Sequence, residues 1–259
     1  MGILNVTPDS FADGGRHNTF ALALARAEEM ILEGVDIIDI GGESTRPGAE
    51  RVSVDLEKDR TIPLITELQS RGIALSIDTM RAEVAEAAIS AGATIVNDVS
   101  GGLADPAMAP LIARNKSVQY IAMHWRGHSR DMQSKAEYED VVREVKNELD
   151  ERVTSLLDAG IDAEQIVIDP GLGFAKTAEH NWELLRNLDR LSLLGYPILI
   201  GASRKRFLGE LLEAENPDDR ESATIALTTE LARQRVWAVR THAVRAHRDA
   251  IAVIEELGK

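Results

Sequence analysis

An alternation repeated eight times constrains this 259-residue chain more than any other feature. Short apolar runs that end in Gly, Asp, Asn, Ser or His alternate with segments of helical period. The candidate strands are Gly2–Val6, Asp36–Gly41, Ala74–Asp78, Thr94–Val99, Val118–His124, Gln165–Asp169, Pro197–Gly201 and Trp237–His242. The candidate helices are Phe20–Glu33, Val54–Ser70, Arg81–Ala91, Pro106–Arg114, Tyr138–Asp158, Ala178–Asp189, Lys205–Leu212 with Arg220–Arg235, and Val244–Leu257. Ile31, Val35 and Ile38 flank one helix-to-strand turn, and Gly34 caps its helix. Strand-then-helix units admit a doubly wound open sheet or a closed barrel. Eight units in about 250 residues predict the α/β class and a (β/α)8 TIM barrel. No linker divides the chain, so the expectation is one domain over residues 1–259.

Composition removes several function classes. There is no cysteine, which excludes disulfides, thiolate catalysis and Cys-based zinc sites. Against 43 acidic residues stand 29 basic ones, a net charge of −14, which argues against a general nucleic-acid partner. No apolar run approaches the ~18 residues of a membrane span, and no signal peptide is recognisable. The expectation is a cytoplasmic protein with no membrane partner. The acid-rich stretches Glu137–Glu151 and Glu210–Glu221 read as solvated helix faces, and Arg233–Arg248 as a mixture of site and surface arginines.

In a barrel the active site lies at the C-terminal ends of the strands. All eight ends are polar here, five of them carrying Asp or Asn. Helix capping alone does not require that. The Gly-rich segments after strands 1 and 2 are long for such connections and read as flexible lids, and Arg46 in the second suits an anionic ligand. Ser203-Arg204-Lys205-Arg206 opens a helix, where free N–H groups and cations favour an anion. Arg240 and His242, two apart, share one face of strand 8 beside strand 1, where Asn5 is able to help hold a hard metal bound to a phosphate. Asp78, Asn97 and Asp169 suit the amidine-like edge of a flat heterocycle, with a lysine donating to a ring carbonyl or nitrogen. Paired acid and base groups for hydrolysis remain an alternative. So does a Schiff-base lysine, Lys176 or Lys205, although Lys176 reads better as a solvated loop residue.

Seven motifs in order carry a resemblance over essentially the whole chain: LNVTPDSFADGG at Leu4–Gly15, DIGGESTRPGA at Asp39–Ala49, SIDT at Ser76–Thr79, NDVSGG at Asn97–Gly102, DPGLGFAK at Asp169–Lys176, GASRKRFLG at Gly201–Gly209 and RTH at Arg240–His242. On these the chain resembles the bacterial dihydropteroate synthases, pterin-binding barrel transferases of folate biosynthesis and targets of sulfonamides. The resemblance implies condensation of 6-hydroxymethyl-7,8-dihydropterin diphosphate with 4-aminobenzoate to 7,8-dihydropteroate and diphosphate, by a dissociative, Mg2+-assisted path. By motif it implies Asp78, Asn97, Met123, Asp169 and Lys205 around the pterin. Asn5, Arg240 and His242 fall on the diphosphate, with Mg2+ at Asn5. Phe11, Thr45, Arg46, Pro47, Ser203 and Arg206 fall around the aminobenzoate. Asp78, Asp169, Lys205, Arg240 and His242 are the implied catalytic residues. A homodimer through the last helices is also implied.

Two departures from the family pattern stand out. Many members have residues before the MGILNV motif, so strand 1 is expected to be short. Ala243 replaces an acid that often follows the histidine, removing a carboxylate able to orient His242. Two readings keep the barrel and change the function: a pterin-binding methyltransferase domain, and a silent paralogue that only binds pterins or a partner. The lid motifs together with both anion sites weigh against them.

Overall fold

A computed structural model describes residues 1–7, 16–43, 51–128 and 132–259. The strands are β1 (Gly2–Asn5), β2 (Ile37–Gly41), β3 (Ala74–Asp78), β4 (Ile95–Asp98), β5 (Gln119–Met123), β6 (Ile166–Asp169), β7 (Leu199–Ile200) and β8 (Ala238–Val239). The helices are α1 (Arg16–Leu32), α2 (Val54–Leu68), α3 (Ala82–Ala91), α4 (Met108–Arg114), α5 (Val141–Asp158), α6 (Ala178–Arg186), α7 (Leu188–Ser192), α8 (Arg206–Leu212), α9 (Glu221–Arg233) and α10 (Val244–Leu257). Strands β1 to β6 pair in chain order, all parallel. Strands β7 and β8 pair likewise. Single parallel bridges, Ile168 to Ile198 and Gly2 to Thr241, join the two sheets on either side. The ring is closed, as the eight units predicted, and the open-sheet alternative falls.

Strand parity sorts the side chains into two cores. Leu4, Ile38, Ile40, Leu75, Ile77, Val96, Tyr120, Ile166, Ile168 and Ile200 pack outward against the helices in the main apolar cluster. Met1, Ile37, Ile95, Ile121, Val167 and Leu199 form a separate cluster of the opposite parity, which fills the lower barrel interior. Continuing up that inner face, the same parity places Asp39, Ser76 and Asn97, then Gly41, Asp78, Met123 and Asp169. The polar site is therefore the top layer of the barrel's own interior, standing on an apolar plug.

Local chemistry sets the helix ends. Ser53 Oγ accepts the Leu56 N–H at 3.2 Å to start α2, and Asp140 Oδ1 accepts the Arg143 N–H at 2.9 Å to start α5. Gly34 takes the left-handed conformation after α1, at φ 84°. The segment expected as one helix over Ala178–Asp189 divides at Asn187 into α6 and α7. There the backbone leaves helical geometry (φ −123°, ψ 32°) while the Asn187 amide donates to the Glu183 carbonyl at 2.9 Å. Among the described residues no helix is long and apolar enough to cross a membrane.

Candidate active site

Arg240 is the hub of the barrel mouth. Its Nε donates to Asp39 Oδ2 at 2.6 Å and its Nη2 to Asp78 Oδ2 at 2.8 Å. Asp39 also accepts from Ser76 Oγ at 2.6 Å and from Asn97 Nδ2 at 3.0 Å. One fully buried carboxylate on β2 thus orients an arginine, an asparagine and a serine from three other strands or strand ends. Burial pushes the Asp78 carboxyl well above the ordinary range, the Arg240 guanidinium pulls it back, and the Asp39 charge pushes it up again. Burial alone would lower Arg240, but the Asp39 and Asp78 carboxylates more than offset this and raise it.

Asp169 and Lys205 form the opposite wall. Burial raises Asp169, and the Lys205 charge does most to pull it back. Burial pulls the Lys205 amine down to about 8 against the attraction of Asp169. The Lys205 Nζ donates to the Leu172 carbonyl and stands 4.8 Å from the Phe174 ring centroid. Met123, 4% exposed, lies beside Asp169 in register.

Two glycines keep the floor between these walls open. A Cβ on Gly41 would lie 3.5 Å from Asn5 Oδ1 and 3.6 Å from Asp78 Oδ2. A Cβ on Gly201 would lie 3.9 Å from both Asp169 Oδ2 and Lys205 Nζ. Without these atoms there is room for a flat ring to approach the carboxylates and the amine.

The other sequence-selected residues are placed as follows. His242 Nδ1 pairs with Ser203 Oγ at 2.9 Å, so a hydroxyl takes the orienting position for which the acid absent at Ala243 was considered. Arg206 is turned to solvent and pairs with Glu210 at 3.0 Å, one helical turn on. Phe11, Thr45, Arg46 and Pro47 lie outside the described residues. Asn5 closes the β1 end. Among the described residues no group of three or more His, Cys, Asp or Glu is placed to hold a metal ion.

Three sequence readings need correcting. Lys176 is not a solvated loop lysine: it is 4% exposed, its Nζ 3.0 Å from His124 Nδ1. The β6–α6 loop folds inward over the strand ends and carries the side chain behind them. Nor are the acid-rich stretches purely solvated. Glu144 and Glu148 pair with Arg126, and Glu148 also meets His124 Nε2 at 2.9 Å. Glu221 pairs with Arg204 at 2.6 Å and His247 at 2.8 Å. Third, Asp39 was missing from the candidate residues. It shares strand parity with Gly41 and stands beside Ser76 in register, a signal present in the DIGG motif.

The model of the pterin binding enzyme family matches residues 1–242. The dihydropteroate synthase of Mycobacterium leprae is 50% identical over 98% of this chain and 91% of that protein. The chain belongs to the dihydropteroate synthase family. A second family member, from Synechocystis, is 45% identical over 99% of this chain and 89% of its own length. Among solved structures, the Xanthomonas albilineans dihydropteroate synthase with 4-aminobenzoic acid superposes with a TM-score of 0.92 at 43% identity, covering 100% of this chain and 92% of that one. The Yersinia pestis dihydropteroate synthase in a sulfonamide complex superposes at 0.93, with 37% identity and 100% and 93% coverage.

Proposed function

We propose that this chain condenses 6-hydroxymethyl-7,8-dihydropterin diphosphate with 4-aminobenzoate, giving 7,8-dihydropteroate and diphosphate. The observation that carries this reading is the paired wall of Asp78 with Asn97 and Asp169 with Lys205 across a glycine floor. A pterin's ring N–H and exocyclic amine are donors for carboxylates, and its carbonyl is an acceptor for a lysine. Solved relatives support the substrate pair: one Xanthomonas albilineans structure holds 7,8-dihydropteroate and another 4-aminobenzoic acid.

In the reaction the methylene C–O bond breaks and its electron pair leaves with the diphosphate. The aniline nitrogen lone pair forms the new C–N bond, and its proton passes to solvent. In the dissociative path the pterin ring carries the positive charge between these events, and the Asp78 and Asp169 carboxylates offset it. Two of the five donors of Arg240 are committed to Asp39 and Asp78. The others, with His242, bind the departing diphosphate. Ser203 Oγ orients the imidazole from its Nδ1 side. Asn5 would help hold Mg2+ beside the diphosphate, and the ion would supply further charge neutralisation there. The donor set fits a substrate-borne cation: the Asn5 carboxamide would contribute one neutral oxygen, and among the described residues no group of three or more His, Cys, Asp or Glu is placed to hold an ion by itself. A homodimer through α10 agrees with the exposure of Val253 and Leu257, and sedimentation tests it directly.

The deciding experiment incubates the purified protein with the pterin diphosphate, 4-aminobenzoate and Mg2+ and follows dihydropteroate by chromatography, omitting each component in turn. Product that depends on all three is expected. Pterin binding without product would overturn the synthase reading in favour of the silent paralogue.

Lys205→Met gives a second, sharper expectation. A hydrogen bond from a charged donor contributes about 1.5–3 kcal/mol, so the pterin-diphosphate KM should rise roughly 10- to 150-fold. Lys205 is charged below about 8 and neutral above. The wild-type KM for the pterin should therefore rise as pH passes upward through 8, and the variant should lack that limb. A limb of equal size in both proteins removes Lys205 from the pterin site.

A further inference from the structure

Behind the ends of β5 and β6, between the barrel and α5, lies a buried group that the proposed reaction does not use. Lys176 Nζ donates to the Gly171 carbonyl at 3.2 Å and the Phe174 carbonyl at 3.1 Å, and it meets His124 Nδ1 at 3.0 Å. The imidazole is held on its other side by Glu148 at 2.9 Å. Burial holds His124 down at about 4, so the ring is neutral, with Nδ1 as acceptor and Nε2–H as donor.

All of this converges on one loop. Between Asp169 and Thr177 four backbone carbonyls accept from side chains. Gly171 and Phe174 carbonyls accept from Lys176, Leu172 from Lys205, and Ala175 from Tyr138 at 3.0 Å. The loop's N–H groups are also held, Gly171 by Asp169 Oδ1 at 2.7 Å and Gly173 by Asn181 Oδ1 at 2.7 Å. The carbonyl that receives Lys205 therefore sits between the two carbonyls that Lys176 holds.

We propose that Lys176 is a positioning residue for the pterin pocket. By holding the Gly171 and Phe174 carbonyls it fixes the β6–α6 loop so that the Leu172 carbonyl receives Lys205 and the amine stands beside Asp169 at the ring's polar edge. Lys176 does not touch the substrate; it acts through Lys205. This rests on the pterin-site reading above. Burial pulls the Lys176 amine down to about 7 against the attraction of the Asp169 charge, and the two carbonyls and the imidazole nitrogen meet it.

A double-mutant cycle tests the claim, with binding of 6-hydroxymethylpterin measured by calorimetry on the full chain. Lys176→Met should weaken pterin binding about 10-fold in the wild-type background and less than 2-fold in the Lys205→Met background, because the residue that transmits the effect is already gone. The 4-aminobenzoate KM should stay within 2-fold. An equal loss in both backgrounds, or a fall in melting temperature with pterin binding unchanged, would overturn it. If Lys176→Met does not fold, Lys176→Gln, which keeps an N–H donor on a shorter stem, goes through the same cycle with the same criterion. The cycle reads binding, so a wild type that binds pterin and makes no product would sink the synthase reading while leaving this proposal testable. A wild type that does not bind pterin would sink both.

Discussion

Arg240→Ala should cost both turnover and stability. The guanidinium is 19% exposed and bridges Asp39 and Asp78, which are 0% and 7% exposed. Removing one partner of a buried ion pair strands the other, at about 3–5 kcal/mol. Here two carboxylates are stranded in one place. The sign of the pH dependence follows from Asp78, whose carboxyl burial has already raised. Losing Arg240 raises it further. A carboxyl raised in the folded state destabilises that state when ionised and is relieved as it takes up a proton on acidification. The melting-temperature deficit of Arg240→Ala should therefore be larger at pH 8 than at pH 6. For activity, the variant loses the proposed diphosphate contact and the alignment of Asp78 together, so kcat/KM for the pterin diphosphate should fall about 1000-fold, equivalent to roughly 4 kcal/mol. Arg240→Lys keeps the charge but not the two-pronged fork and should fall in between. Unchanged kinetics with only a lower melting temperature would make Arg240 a structural clasp and remove it from the proposed chemistry.

The same cluster shows why some of the site was legible in the sequence and some was not. Asp78, Asn97 and Asp169 are each the last or next-to-last residue of a strand, and strand-end position is a local property. Asp39 lies two residues below the end of β2, and its role depends on partners 37, 58 and 201 positions away. Period-2 parity from Gly41 would have turned it inward, but no local pattern says that an inward carboxylate will meet an arginine from the last strand. Lys176 was misread for a related reason. A lysine past a strand end in a Gly-rich segment is ordinarily solvated, and only the inward fold of the loop, with Gly171 and Gly173 in left-handed conformation, buries it. His242 is the converse: its orienting partner was sought next door at residue 243, whereas the barrel supplies Ser203 from the neighbouring strand end. The eight strands, by contrast, were legible because each is bounded by its own turn residues and the repeat is regular.

Gly171→Ala should damage the proposed pterin site more than its chemistry suggests. Gly171 has φ 69°, and an added Cβ would stand 2.5 Å from the His124 carbonyl oxygen and 3.3 Å from Met123 Cγ. The first neighbour is backbone, held because the His124 N–H donates to the Asp169 carbonyl at 2.8 Å. The loop itself must move. That breaks the Gly171 N–H bond to Asp169 Oδ1 and displaces the carbonyl that Lys176 holds. A left-handed alanine costs roughly 1–2 kcal/mol and overpacking a further 1–3, so about 3 kcal/mol is expected. At roughly 2–4 °C per kcal/mol for a chain of this size, the melting temperature should drop by about 6–12 °C. Pterin binding should weaken at least 100-fold, since Asp169 and Lys205 both lose their supports. Gly195→Ala is the control. It has φ 81° and no atom within 4 Å of the new methyl, so it bears the backbone term alone, about 1 kcal/mol, with pterin binding unchanged. Subtracting one variant from the other isolates the close approach of two strand ends. Equal effects from the two substitutions would mean that the β6–α6 loop is free to relax, and that its shape is not what holds Asp169 and Lys205 to the ring.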